Sequence, residues 1–362
     1  MNGKPKVAIV YGGKSAEYEV SLQTAFSVIN AIDKEKYEVL PVHITNKGRW
    51  VEGHVIAGAL EYKEQLLLDE NPTAVSANEW LTPSNINASK HKPDIVFPLL
   101  HGPNGEDGTV QGLFELLDIA YVGSGVAGSA VAMDKVLAKD IFRAHGIPQA
   151  AYLAFTKYEW TEQREHILAE LEGLIGYPCF VKPANLGSSI GISKSHDRKG
   201  FMGSVELAFQ FDQKVVVEEA LEAREIEIGV IGNDELELST IGEIQSGSDF
   251  YDYESKYQDG ETNLIIPAMV EEETLAQLQT LAKKAYKALN CSGLSRVDCF
   301  VRTSDHKVFV NEVNTMPGFT LFSMFPLLWK HTGVEYRQLI DRLIRLGIER
   351  HQKRSQIRYR ID

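Results

Sequence analysis

The chain has 362 residues with 37 Lys and Arg against 50 Asp and Glu, a formal net charge of −13. That length accommodates two or three domains, and the acidic balance excludes a general binder of nucleic acid or of an anionic membrane. Cys179, Cys291 and Cys299 form no CxxC pair, no apolar run is long enough to span a bilayer, and residues 7–11 are too short for a secretion signal, so a cytoplasmic protein with reduced thiols is expected.

Residues 7–11 (Val-Ala-Ile-Val-Tyr) read as a buried strand ending in Gly12 and Gly13. Leu22, Ala25, Phe26, Ile29 and Ile32 then recur at helical spacing, with Ser21 placed as an N-cap. Strands over 37–44 and 94–100 follow, then the small-residue segment 121–128. This order predicts an α/β domain with a parallel sheet over residues 1–130, whose ligands would sit beyond the carboxyl ends of the strands, where Gly12 and His101 fall. A second region, 131–225, opens at Met133-Asp134-Lys135. It has a helix ending at Gly146 before Pro148, a helix from Thr161, and strands at 179–182 and 215–218. The third region, 226–362, is strand-rich. It adds a helix with Leu275, Leu278, Leu281 and Ala285 on one face, and a last helix with Leu339, Ile340, Leu343 and Ile344. The polar stretch 246–260 is expected to be a mobile loop.

The densest chemistry lies late in the chain. Arg296-Val-Asp298 and Asn311-Glu312-Val-Asn314 lie either side of a short turn, bracketed by the β-type runs 299–301 and 308–310. Two carboxylates and a carboxamide are hard oxygen donors, as magnesium prefers, and magnesium keeps phosphate oxygens among its ligands. Side chains alternate faces along a strand, so Arg296 and Asp298 share one face of the first strand, and Glu312 and Asn314 share one face of the second; if the two faces coincide, a metal cage sits beside a fixed guanidinium. Asp298 can lie opposite Glu312 only if the turn holds an odd number of residues or a bulge intervenes. A surface hairpin with solvated charges would have the same composition.

Other motifs are weaker alone. Gly13-Lys14-Ser15 is no phosphate loop, because position 8 is Ala where glycine is needed. What remains is a tight turn into a helix, with Glu19 near its start, either as a site residue or as a partner of the helix dipole. His101 to Gly108 is a glycine-rich acidic turn that lets a ligand approach the backbone. Lys182 to Gly191 reads as a Gly/Ser flap whose amides and lysine can hold phosphates. Glu218, Glu219 and Leu221 lead from a strand into a linker that could read an adenine edge, with Glu225 near a ribose hydroxyl. Residues 251–257, aromatic and charged, suit a closing lid.

In this order and spacing the motifs resemble the D-alanine–D-alanine ligases of the ATP-grasp superfamily over almost the whole chain. They are Gly12 to Ser21, His101 to Gly108, Met133 to Lys135, Lys182 to Gly191, Tyr251 to Tyr257 and Asn311 to Gly318. The resemblance implies an α/β (α+β) three-domain ATP-grasp architecture with a Rossmann-like N-terminal domain. The N-terminal domain would bind substrate, and ATP would sit between the other two. Lys135, Lys182, Ser189, Glu218, Glu219, Leu221 and Glu225 would hold ATP. Asp298, Glu312 and Asn314 would hold two Mg2+ ions, with Mn2+ as a substitute. Glu19 would bind the ammonium of the first D-alanine, linked through Ser188 to Tyr257, with His101 near that substrate's carboxylate. Ser323 and Met324 would receive the second D-alanine, and Lys256 would reach the phosphate when the lid closes. Arg296 and the Gly318 amide suit the oxyanion that forms as the amine attacks. The implied product is D-Ala-D-Ala for peptidoglycan precursors, made by a homodimer. The alternatives are a D-alanine–D-lactate ligase, another carboxylate–amine ligase on this scaffold, a phosphotransferase or a nucleotide-binding module.

Overall fold

The structure is a computed structural model that describes residues 3–68, 75–76, 92–187, 190–246 and 262–358. Ser188, Ser189, Lys256 and Tyr257 lie outside those residues, as does the expected loop beyond Ser246.

Three sheets follow one another along the chain. The first comprises β1 (Lys6–Gly12), β2 (Glu38–Ile44), β3 (Trp50–Glu52), β4 (Val75–Ser76), β5 (Ile95–Leu99) and β6 (Ala120–Tyr121), in the order β4-β3-β2-β1-β5-β6. β1 has parallel partners on both sides, β2 and β5. A strand so placed, covered on both faces, reads as an unbroken apolar run. Alternation divides it between two cores: Val7, Ile9 and Tyr11 enter one, Ala8 and Val10 the other.

The helix after β1, α1 (Tyr18–Ala31), begins three residues before the expected cap at Ser21. Ser21 lies inside it. Its hydroxyl accepts the Gly12 N–H at 2.7 Å and donates to the Leu99 carbonyl, tying the carboxyl ends of β1 and β5 together. Gly12 has φ +91°, and a Cβ there would meet the Ile44 carbonyl oxygen at 2.1 Å, so only glycine fits the turn. Next come α2 (Thr109–Leu116), α3 (Val126–Met133) and α4 (Lys135–Ala144). Asp134 caps α4 by accepting the Val136 and Leu137 N–H groups.

The second sheet is antiparallel, in the order β7-β10-β8-β9: β7 (Tyr152–Thr156), β8 (Cys179–Pro183), β9 (Ser193–Ser195) and β10 (Lys214–Glu219). α5 (Lys157–Leu174) and α6 (Arg198–Ala208) cover it, packing Trp160, Leu168, Phe201 and Val205 against Val181, Val215 and Val217. α5 starts before Thr161, because Thr156 and Glu159 form a capping box at its head.

The third sheet is also antiparallel, in the order β13-β12-β11-β14-β15: β11 (Ala223–Gly232), β12 (Glu237–Ser246), β13 (Thr262–Ile265), β14 (Gly293–Arg302) and β15 (Val308–Asn314). One core joins it to α7 (Glu272–Ala288) and to Ala138 and Phe142 of α4. The last helices, α8 (Met324–His331) and α9 (Tyr336–Ser355), return to the first sheet. Phe325, Trp329, Leu339 and Leu343 share a core with Val7, Ile9 and Phe97. That return brings the strip after β15 against the carboxyl ends of β1 and β5.

Candidate active site

The hairpin of β14 and β15 sets the geometry. Val301 pairs with Val308 and Cys299 with Val310, so an unbroken ladder would place Asn311 opposite Asp298. The register instead shifts there, with Asn311 as the extra residue. Glu312 faces Asp298, and Asn314 faces Arg296. All four side chains therefore share a face, and Asn314 Nδ2 donates to Asp298 Oδ2 at 2.9 Å. Arg296 grips Asp298 as a fork, Nε to Oδ1 and Nη2 to Oδ2 both at 2.7 Å, and its Nε lies 3.0 Å from Glu227 Oε2. Burial opposes the guanidinium charge, yet Asp298 and then Glu227 hold its pKa well above the ordinary arginine value. Sequence reasoning missed Glu227. It pairs with Asp298 across β11 and β14, so Glu227, Asp298 and Glu312 form a row of acids across three strands. The alternation of Glu225 and Glu227 with isoleucines was its signal.

A second cluster spans α4 and the second sheet. Lys182 on β8 and Glu218 on β10 form an ion pair at 2.9 Å. Lys139, one turn beyond Lys135 on α4, lies 3.2 Å from the other oxygen of Glu218, with its side chain 2 % exposed. Burial would raise the pKa of Glu218, but Lys139 and Lys182 outweigh it and hold the carboxyl at about 2. Burial would lower Lys182, and Glu218 turns the net shift upward. For Lys139 burial wins and its pKa is lowered. Lys135 Nζ donates to the Leu186 carbonyl at 2.6 Å and lies 4.0 Å from Glu312 Oε2, which links this cluster to the hairpin. Glu219 turns to the other face of β10 and accepts the Ala151 N–H. Leu221 is half-buried in the linker after β10. Glu225, exposed on β11, supports the charge on Lys182 through space.

The third cluster stands at the end of the first sheet. His101 is buried, and its Nε2 lies 3.3 Å from Thr24 Oγ1. Burial lowers its pKa against the pull of Glu17 and a main-chain hydrogen bond to Met316. Glu106 accepts the Gly102 N–H at 2.7 Å. Burial first, and Glu17 next, push its carboxyl up to about 8. Glu17 is buried at the head of α1. A Cβ on Gly102 would stand 2.7 Å from its Oε2, and one on Gly187 3.7 Å away, so its carboxylate lies between the His101 turn and the root of the flap. The structure does not bring Glu19 to this cluster. Glu19 sits in the exposed first turn of α1, its side chain 70 % accessible, paired with Lys63 at 2.8 Å. The residue the geometry selects is two positions earlier.

Gly318 and Ser323 adjoin one another: a Cβ on Gly318 would lie 3.2 Å from Ser323 Oγ. Ser323 immediately precedes α8 and hydrogen-bonds to Thr320 rather than capping the helix. Met324 has its side chain in the interior, so its main-chain N–H at the head of α8 is what it can offer a ligand.

Comparison with known proteins narrows the readings left open to one family. A family model described as the D-ala D-ala ligase N-terminus matches residues 6–124, and one described as the D-ala D-ala ligase C-terminus matches residues 141–345. The chain belongs to the D-alanine–D-alanine ligase family. It is 50% identical over 359 residues to a D-alanine–D-alanine ligase of Bacillus licheniformis, covering 98% of this chain and 99% of that one. It is 52% identical over 360 residues to one of Geobacillus kaustophilus, covering 98% of each. Among solved structures it resembles the VanG D-Ala:D-Ser ligase of Enterococcus faecalis (36% identity, TM-score 0.84, 95% of this chain and 100% of that one). It also resembles the D-alanine–D-alanine ligase of Coxiella burnetii (32% identity, TM-score 0.81, 98% and 96%). The fold is the mixed α/β ATP-grasp fold of these ligases.

Among the described residues no three His, Cys, Asp or Glu side chains gather as a metal cage. Asp298, Glu312 and Asn314 are two carboxylates and a carboxamide on one sheet face. That is too few donors for a protein-only site, and it fits a magnesium ion that retains water and phosphate oxygens.

Proposed function

We propose that the chain condenses two D-alanine molecules into D-alanyl-D-alanine through a D-alanyl phosphate, with ATP cleaved to ADP and phosphate. One observation carries the reading: the Glu17–His101–Glu106 cluster and the row Arg296–Asp298–Glu312 meet at the root of the flap, where a Cβ on Gly187 would lie 3.7 Å from Glu17 Oε2, while Lys135 Nζ donates to the Leu186 carbonyl at 2.6 Å and lies 4.0 Å from Glu312 Oε2. A site for a small zwitterion thus adjoins a site for a triphosphate.

Glu17 binds the ammonium of the first D-alanine, and its carboxylate lies toward His101. A carboxylate oxygen attacks the γ-phosphorus, the bond to ADP breaks, and an acyl phosphate forms. Bound magnesium supplies charge neutralisation on the transferring phosphates. Lys182 and Lys135 steady the phosphate oxygens, and Glu218, Leu221 and Glu225 hold the base and ribose. The second D-alanine places its carboxylate at the Ser323 hydroxyl and the head of α8. Its neutral amine attacks the acyl carbon. Arg296 and the Gly318 amide receive the oxyanion, and phosphate leaves with the oxygen it took from the acid. Ser188, Tyr257 and Lys256 complete the reading as the residues that link Glu17 to a lid and meet the phosphate, and a closed lid protects the acyl phosphate from water.

The same reading makes the enzyme a cytoplasmic homodimer serving peptidoglycan precursor synthesis. For the first part, all three cysteines are free and buried, and no described helix is long and apolar enough to cross a membrane. The dimer rests on the family resemblance, and light scattering tests it.

The test of function supplies ATP and Mg2+ with D-alanine, L-alanine, D-alanine plus D-lactate, or D-alanine plus D-serine, and identifies the condensed product. D-Ala-D-Ala from D-alanine, and nothing from L-alanine, is expected. A depsipeptide or a D-Ala-D-Ser product formed in preference would reassign the second substrate.

A further inference from the structure

Lys139 is the most completely buried ammonium of the site, and no motif drew attention to it. α4 places it one turn from Lys135, with its main-chain carbonyl held by Gln149 at 2.7 Å. An ammonium has three protons to place. Among the described residues Lys139 meets one carboxylate, Glu218, and the ring of Tyr152 at 5.4 Å. The cluster of Lys139, Lys182 and Glu218 carries one net positive charge in a buried setting.

Lys182 is tied to Glu218 at 2.9 Å. On the ligase reading, on which this inference rests, Lys182 must turn to the triphosphate. Moving it away from a buried carboxylate would strand an uncompensated anion, the costly outcome when a buried pair is broken. Lys139 already sits on the other oxygen of that carboxylate. We propose that Lys139 is a positioning residue for the nucleotide: by staying on Glu218 it frees Lys182 for the phosphates and keeps the Glu218 carboxylate oriented toward the base. In its absence Lys182 becomes the sole counterion of Glu218 and is withheld from the nucleotide.

The test titrates MgATP into the full-length protein by calorimetry without D-alanine, and separately measures the KM for each substrate. Lys139→Met is expected to weaken MgATP binding about ten- to a hundredfold, the range for losing a charge-assisted hydrogen bond, with the KM for D-alanine within about twofold of the parent. Adding Glu218→Gln removes the anion that Lys182 would otherwise serve, restores the net charge, and keeps an acceptor for the base. The double variant is therefore expected to bind MgATP within about threefold of Glu218→Gln alone, a coupling that a packing role would not produce. Unchanged MgATP binding in Lys139→Met, or a double variant weaker than both single ones, overturns the proposal. If Lys139→Met does not fold, the comparison of the double variant with Glu218→Gln decides by the same criterion. A parent protein that binds MgATP but makes no dipeptide would refute the ligase reading and leave the role of Lys139 to the titration.

Discussion

Asp298 faces Glu312 because Asn311 is an extra residue in the ladder between β14 and β15. Without that bulge Glu312 would point to the other side of the sheet, among Val297, Cys299 and the rest of the core under α7. The two carboxylates are therefore placed as a pair, and the expected cost of altering one is a metal effect. Glu312→Gln should raise the Mg2+ concentration needed for half-maximal rate about tenfold or more, as loss of a charged ligand does. Rates measured against Mg2+ at saturating ATP check this. An unshifted Mg2+ curve would remove Glu312 from the ligand set.

Arg296 is held by two acids, Asp298 and Glu227. Arg296→Ala should lose about 2.7–4 kcal/mol of transition-state stabilisation, the usual cost of one oxyanion donor. Because it also takes the counterion from the buried Glu227 and leaves Asp298 with Asn314, it should lower the thermal midpoint as well. The two effects separate in the Arg296→Lys variant, which retains a charge but loses the fork. Stability should largely return and turnover should not. ATP affinity should change little in either; a parallel loss of ATP binding would contradict the oxyanion role.

Glu17 and Glu19 stand two residues apart, either side of the start of α1, and have opposite surroundings. Glu17→Gln should raise the KM for D-alanine about ten- to a hundredfold with the KM for ATP near the parent value, since a charged hydrogen bond to the substrate ammonium is lost. Glu19→Gln should be close to silent, as its partner is an exposed lysine. Steady-state kinetics with each substrate varied would reverse the assignment if the two variants exchanged phenotypes.

Glu106 titrates at about 8 in the folded protein, against an ordinary value of 4.5. Between those values the unfolded chain has released the proton and the folded chain keeps it. Folding stability therefore falls as pH rises through this window, and levels off above about 8. Glu106→Gln, which cannot ionise, should show a flatter dependence between pH 5 and 8. Urea midpoints at several pH values measure the slope, and identical slopes would mean that Glu106 is already charged at neutral pH.

Much of this was legible in the residues. The apolar run 7–11 announced a central parallel strand, and the runs at 299–301 and 308–310 announced the hairpin together with the parity condition that the bulge satisfies. Lys182 was legible as the root of a Gly/Ser stretch between two β-type runs, and Glu218 as the end of an apolar strand, whereas Lys135, at the head of a helix, was assigned only by the resemblance. The choice between Glu17 and Glu19 depended on where α1 begins. Placing the cap at Ser21 hid the fact that Glu17 is the last residue before the helix and turns inward. The start of α5 was misplaced because the Thr156–Glu159 capping box outweighs the apolar periodicity that begins later. Lys139 and Glu227 carried weak signals, since a lysine one turn after another and a glutamate among isoleucines are common on solvated faces. The return of α8 and α9 to the first sheet is set by long-range packing that local pattern does not encode.

Isotope transfer from D-alanine labelled with 18O in its carboxylate tests most directly the claim that the acid is activated by phosphoryl transfer. The labelled substrate is turned over with ATP and Mg2+, and the inorganic phosphate is analysed by mass spectrometry. One labelled oxygen per phosphate is expected, because the oxygen that attacks phosphorus leaves with it. Phosphate free of label, alongside dipeptide formed at the normal rate, would contradict the acyl phosphate and with it the chemistry assigned to this site.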